Sequence, residues 1–470
     1  MIFSSVFFLF MFLPITLFLY FAVPRAFKNV VILIASLIFY AWGEPVYILL
    51  MLFSIVYNYI CGLEIDYDRK HGRAGKAKFA FIMAVAVNLG ILGFFKYYGF
   101  LLENINAILP IEIPYRALPL PIGISFYTFQ TLSYVIDVYL EKVAVQKNII
   151  YFGTYISMFP QLIAGPIVRY SDVEAQLSGR RESRAKFGDG VAWFLRGLGK
   201  KVLLANNIGV AYEAVAALPA GEMSVLSAWI GCAAYTFQIY FDFSGYSDMA
   251  IGLGKMFGFD FMKNFDYPYT SASITEFWRR WHISLGSWFR EYVYIPLGGN
   301  RVSQPKAIRN IFVVWFLTGF WHGAAWNFIF WGVYYGLLLF LEKYALKRVL
   351  ERLPKVVKHI YTMVFVMIGW VLFFSPGMGS AVKYIGIMFG IGAHGFADGT
   401  AVYYLLNYMI LFVLSVVCSV PYTYKKFVHY AFGTKVDHFK AAMVCYALLF
   451  LLSTAYLVNA TYNPFLYFRF

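Results

Sequence analysis

Three groups of residues in this chain have types and spacings that could do chemistry. The first is His322, set in Thr318-Gly319-Phe320-Trp321-His322-Gly323-Ala324-Ala325-Trp326-Asn327, within a run from Ile311 to Leu341 that contains no Asp, Glu, Lys or Arg. An ionisable side chain at membrane depth is costly, so it is usually turned inward, partnered and functional. A neutral imidazole can accept a hydroxyl proton at cellular pH; the structural alternative is an imidazole hydrogen-bonded within a helix bundle. The second group runs from Asp260 to Arg301 and interleaves aromatics with cations, including Trp278, Arg279, Arg280, His282 and Arg290. Guanidinium groups suit bidentate phosphate contacts, and nearby rings can stack on a base; pairing with phospholipid headgroups explains the same arginines. His282 fits either a catalytic or orienting role or a structural one. The third group is Asp242 and Asp248 near the end of an apolar helix. These carboxylates could anchor arginines or polarise a base, and structural ion pairs account for them equally well.

The elements that must carry these groups follow from composition. Of 470 residues, 61% are hydrophobic and 13% charged, about half the charged fraction of a soluble domain. Several apolar runs reach the roughly 20 residues that span a bilayer. An all-α polytopic membrane protein follows, without a separable soluble domain or internal repeat, so the chain reads as one domain over 1–470 with its core motifs between 149 and 342. The net charge of +15 sits in short loops between apolar runs, which is the positive-inside pattern and not a nucleic-acid footprint. Cys61, Cys232, Cys418 and Cys445 stand singly, so neither a disulfide framework nor a metal site is indicated.

Alternating charge orders the chain. Met1 to Val23 reads as an uncleaved first helix with its N-terminus outside, because Arg25 and Lys28 follow it and no basic residue precedes it. Crossings then run from Asn29 to an outer turn at Gly43-Glu44-Pro45, back to the basic loop Arg69 to Lys78, out to a loop over Glu103 to Pro119, and in again over Pro121 to Leu140. Two segments break the alternation. Ile149 to Val168 has basic residues after it and an interrupted centre at Phe159-Pro160-Gln161 and Gly165-Pro166, which suggests a re-entrant element. Ile311 to Leu341 is basic at both ends and is long for one crossing, short for two; a break over Gly319 to Ala324 would put His322 at a turn, and a strongly tilted single crossing is the other geometry. The Asp260 to Arg301 segment is expected to form an interfacial helix. Further crossings near Tyr361 to Phe374, Val402 to Val420 and Ala441 to Val458, with Lys425 to Lys440 inside, bring the total to about ten plus re-entrant and interfacial pieces.

Five blocks carry a family resemblance: Phe159–Ile167, Phe241–Asp248, Phe277–Leu285, Tyr292–Asn300 and Trp321-His322-Gly323. In this order they resemble the membrane-bound O-acyltransferase (MBOAT) family, and the first and fourth narrow the likeness to its bacterial alginate O-acetyltransferase, AlgI-like branch. The resemblance implies a tunnel through a thinned membrane core with His322 inside it, and His282 as the second histidine of the motif. It also implies acetyl-CoA as a cytoplasmic acyl-donor substrate, with no bound cofactor. The acceptor would be a hydroxyl of an extracytoplasmic polysaccharide, reached directly or through a partner with an SGNH-hydrolase-like domain, and the location the cell (inner) membrane. D-alanyl or other acyl transfer to teichoic acid or peptidoglycan, and a non-catalytic role in polymer export, belong to the same range.

Acyl transfer from a thioester to a hydroxyl requires a base, oxyanion stabilisation and aligned partners. His322 suits the base, or a transient acyl carrier, since no GxSxG elbow supplies a serine. Trp321, Trp326 and Asn327 are candidate oxyanion or orienting donors, and Gln161 joins Asp242 and the arginines as a candidate substrate-binding residue. A secondary transporter could also hold a buried histidine in broken helices, but its halves usually repeat.

Overall fold

A computed structural model describes residues 1–109, 113–116, 118–163, 165–421, 435–459 and 465–466. All regular structure among them is helical. Among the described residues six helices are long and apolar enough to cross a membrane: Arg25–Gly43, Ile48–Lys70, Ala74–Ile108, Lys355–Phe374, Gly399–Cys418 and Ala441–Asn459. Other expected crossings map onto shorter or more polar helices, such as Phe8–Ala22 and Ile124–Tyr139. Most of the expected basic loop Lys425 to Lys440, and part of the Glu103 to Pro119 loop, lie outside the described residues.

The chain divides into two compact units, Met1–Phe194 with Ser247–Met262, and Leu195–Tyr246 with Lys263–Phe470. The first unit holds the interrupted segment. Ile149–Ser157 is followed at once by Phe159–Leu162, with Pro160 in the opening turn where its missing N–H costs nothing. Nine residues make about 14 Å of helix, half of a bilayer core, so this is not a kinked full crossing. The broken backbone is satisfied inside the protein: Phe159 N–H donates to Ser36 Oγ at 3.0 Å, and Gln161 Nε2 donates to the Tyr155 carbonyl at 2.5 Å. Irregular backbone at membrane depth requires such internal partners. Asn58, Asn88 and Thr131 bond to one another across three helices of this unit, polar links of the kind that join helices in lipid.

In the second unit, Ile311 to Leu341 is not one tilted crossing but turns back at a break, with His322 at the turn. It is the inner part of a hairpin of two 19-residue helices, Gln304–His322 and Trp326–Tyr344. The break expected at Gly319 to Ala324 falls at Gly323–Ala325. Two glycines set the approach of the arms. A Cβ on Gly319 would collide with the Phe328 carbonyl oxygen and come within 3.1 Å of the Gly332 backbone, and one on Gly332 would collide with the Trp315 carbonyl oxygen. The arms therefore touch backbone to backbone, which small residues permit in membrane helices. Both charged ends lie at the open side of the hairpin and His322 at its tip, about 28 Å of helix away.

The expected interfacial helix is instead two seven-residue helices, Ile274–Arg280 and Ile283–Phe289, broken at Trp281–His282. His282 has φ of 47°, a left-handed conformation that ends a helix. Three short contacts hold the break. Asn264 O accepts the Ile283 N–H at 2.9 Å, Asn264 Oδ1 accepts the Ser284 N–H at 3.1 Å, and the Arg280 carbonyl accepts the Asp266 N–H at 2.9 Å. Glu342 caps the first helix, accepting from Ile274 N–H at 2.6 Å and from both Thr275 donors at 2.6 and 2.9 Å.

Gly319→Ala and Gly332→Ala are each expected to cost about 1–3 kcal/mol through overpacking, read as a lower thermal unfolding midpoint of the purified protein. Gly286→Ala, where a Cβ meets nothing within 4 Å, should unfold with the original chain.

Candidate active site

The helical break and the hairpin tip bring two histidines around one tryptophan. The Trp321 ring lies 5.0 Å from the His322 ring and 6.1 Å from that of His282, centroid to centroid. His322 is further enclosed by Trp331 at 5.0 Å and Phe373 at 5.4 Å, both edge-to-face. His282 stands edge-on to Phe243 at 4.7 Å. Both histidines are buried, each against rings whose rigid shapes fix the imidazole plane.

Asn264 determines how His282 is presented. Because Oδ1 already accepts from the Ser284 N–H and, at 2.9 Å, from the Ser284 hydroxyl, the orientation of the amide is fixed. His282 Nδ1 lies 3.2 Å from that same oxygen. An amide oxygen only accepts, so Nδ1 carries the proton and Nε2 the lone pair. The link Trp281–His282 belongs to no spanning helix, and its burial holds the His282 imidazole far below the usual histidine value, at about 3. The group is therefore neutral at cellular pH and suited to orienting or relaying, not to carrying charge.

A cavity of about 940 Å³ leads to this point. Its buried end is formed by Trp281, His282 and Thr318, and its exposed mouth carries Arg279, Arg290, Lys343 and Lys347, with Lys358 beside them. Of the carboxylates on its wall, Glu342 is spent on helix capping and Glu276 on Arg280, and Glu351 stands exposed at the mouth. Among the described residues no ion pair engages Arg279, Arg290, Lys347 or Lys358. Cationic at the mouth and aromatic at the end, the cavity matches a ligand with an anionic head and a reactive neutral tip. Trp278 lines it as well, its ring packed against Trp315, Trp331 and Tyr335.

The remaining expected residues stand elsewhere. Arg280 is not on the cavity; it pairs with Glu276 at 2.9 Å and donates to the Asp266 carbonyl at 3.1 Å. Asp242 forms a buried ion pair with Lys201 and accepts the Leu466 N–H at 2.7 Å. Asn327 spends its amide on the last carbonyls of Lys355–Phe374, with Nδ2 3.1 Å from Ser375 O. Trp326 is 52% exposed. Gln161 lies in the first unit, on the Tyr155 carbonyl. Reasoning from sequence missed Asn264 and the lysines of the mouth. Lys343, Lys347 and Lys358 read in the sequence only as the basic flank of the Ile311 to Leu341 run, and Asn264, inside the Asp260 to Arg301 group, carries no signal of its contact to His282.

Residues 126–380 match the family described as MBOAT, membrane-bound O-acyltransferase. The chain belongs to this family. It is 43% identical to the probable alginate O-acetylase AlgI of Pseudomonas aeruginosa, over 83% of this chain and 75% of that one. It is 34% identical to the peptidoglycan O-acetyltransferase of Helicobacter pylori, over 83% and 80% of the two chains. To the teichoic acid D-alanyltransferase of Bacillus subtilis the identity is 30%, over 48% and 60%. This MBOAT protein is thus a multi-pass membrane acyltransferase, whose relatives are named for acyl transfer to alginate, peptidoglycan or teichoic acid.

Asn264→Ala is expected to lower turnover about 10–100-fold, since misplacing a reacting group by about 1 Å costs that much, while the KM for the donor stays unchanged. Steady-state kinetics on the purified protein separate this positioning role from a folding defect, which would reduce the active fraction and leave turnover per folded molecule intact.

Proposed function

We propose that this chain transfers an acetyl group from acetyl-CoA, bound from the cytoplasmic side of the cell membrane, toward a hydroxyl of an extracytoplasmic polysaccharide. The acyl group passes directly or through an SGNH-hydrolase-like partner. The observation that carries the reading is the cavity with a cationic mouth and a buried end on His282, one tryptophan away from His322. Arg279, Arg290 and the mouth lysines supply the charge that the phosphates of a coenzyme A thioester require. The thioester end then lies toward the aromatic interior.

In the proposed step the imidazole of His322 accepts the acceptor's hydroxyl proton as that oxygen attacks the thioester carbonyl. The tetrahedral intermediate collapses with loss of the C–S bond, giving an ester and a thiolate that takes the proton back from His322. His282, neutral and fixed through Asn264, orients the donor. Trp321, in contact with both imidazoles, keeps them in register. Asn327 and Trp326 take no part, given where their side chains stand.

An O-linked acetyl acceptor is favoured over a D-alanyl transfer by the relatives. The O-acetylating relatives match over most of the chain, whereas the D-alanyltransferases match under half of it. The alginate-like polymer follows from the higher identity on that side.

His322→Gln is expected to reduce acetyl transfer from acetyl-CoA by about 10²–10⁴-fold, the range for losing a general base, with donor affinity by calorimetry unchanged. Full activity in a folded His322→Gln variant would remove the reading, and an acetylated His322 peptide would replace the base with an acyl carrier. Arg279→Gln and Arg290→Gln should each raise the KM for acetyl-CoA about tenfold, the equivalent of one charge-assisted bond, with little change in turnover.

A further inference from the structure

A second cluster of cations lies in the first unit and has no part in the chemistry above. A small cavity of about 260 Å³ is lined by Arg25, Lys28, Asn29, Tyr151, Arg180 and Glu182, among others. Three cations face one carboxylate there. Arg180 is buried and rigidly held: Nε donates to Tyr20 Oη at 3.0 Å and to the Phe257 carbonyl at 3.1 Å, and Nη1 donates to Asn29 Oδ1 at 2.6 Å. Its Nη2 takes no part in these bonds among the described residues. Arg25 donates to the Arg180 carbonyl at 3.0 Å. Lys28 reaches Glu182 at 3.1 Å, and Tyr20 Oη lies 2.6 Å from the same carboxylate oxygen. Glu182 is therefore shared between Lys28 and Tyr20, and among the described residues no ion pair engages the two guanidinium groups.

The position of this cavity selects its occupant. Arg25 and Lys28 open the apolar spanning helix Arg25–Gly43, so the cavity lies at headgroup depth. Phe21, whose ring lies 5.4 Å from Lys28 Nζ, and Phe27, which precedes Lys28, are exposed at 47% and 57%, a surface that suits acyl chains and not water. We infer that this cavity binds the phosphate of an anionic phospholipid, held by Arg25, Lys28 and Arg180, with its chains against those phenylalanines. A preorganised guanidinium pair prefers a phosphate over a hydrated cation or a neutral headgroup. A zwitterionic lipid brings its own ammonium against Lys28 and binds more weakly. The same phosphate chemistry could come from free phosphate, but that ligand makes no use of the apolar wall.

The test is native mass spectrometry of the full-length protein in detergent, titrated with phosphatidylglycerol or phosphatidylcholine, with inorganic phosphate as a competitor. The wild type should hold one phosphatidylglycerol about tenfold more tightly than phosphatidylcholine, the value of one charge-assisted bond. Arg25→Gln with Lys28→Gln should lose that preference, and Arg25→Lys should keep part of it. Size-exclusion profiles and unfolding midpoints show that the variants remain folded. Equal retention of the two lipids, an unchanged preference in the double variant, or displacement of phosphatidylglycerol by inorganic phosphate would each overturn the proposal.

Discussion

The site rests on the backbone contact between the two arms of the Gln304–Tyr344 hairpin. Gly319 and Gly332 leave room for each other's backbone and for the carbonyls of Phe328 and Trp315, and no larger residue does so without displacement. That approach turns the chain back on itself in three residues, Gly323 to Ala325. It places His322 at the end of one arm and Trp331 on the other, 5.0 Å apart between rings. Edge-to-face contacts with Trp331 and Phe373 help to fix the plane of that imidazole.

The second constraint is conformational. His282 occupies the left-handed region at the junction of two short helices, and one residue, Asn264, satisfies the backbone donors that the junction exposes. The oxygen that caps the helix is also the one facing His282 Nδ1. Capping and tautomer selection are therefore a single arrangement, so the break in the Phe277–Leu285 motif and the chemistry of its histidine cannot vary independently.

Much of this was legible in the sequence, for identifiable reasons. The charge-free run around His322 and the basic residues at both of its ends implied a return to the same side, and the hairpin provides it. Phe159-Pro160 marked the interruption of Ile149 to Val168 because proline suits a first helical turn and no later one. The interfacial segment reads as one helix because its aromatic and cationic pattern continues through Trp281–His282, and a left-handed residue leaves no mark on periodicity. Arg280 and Asp242 looked like site residues by type, but ion pairs with Glu276 and Lys201 engage them. The amide of Asn327 was likewise drawn to helix-terminal carbonyls. Charges of the mouth were visible as topology signals only, because a lysine that sets orientation and a lysine that binds phosphate are the same in a sequence.

The account's central claim is that an acyl donor occupies the cavity between the Arg279–Arg290 segment and the Lys343–Lys358 segment, with its reactive end toward His282. Photo-crosslinking with a photoreactive acyl-CoA analogue, followed by peptide mapping, tests this most directly. The account predicts labelling confined to the cavity wall, within residues 272–300, 311–318 and 339–358, and abolished by unlabelled coenzyme A. Labelling on helices of the first unit instead, or labelling that unlabelled coenzyme A leaves unchanged, would contradict it.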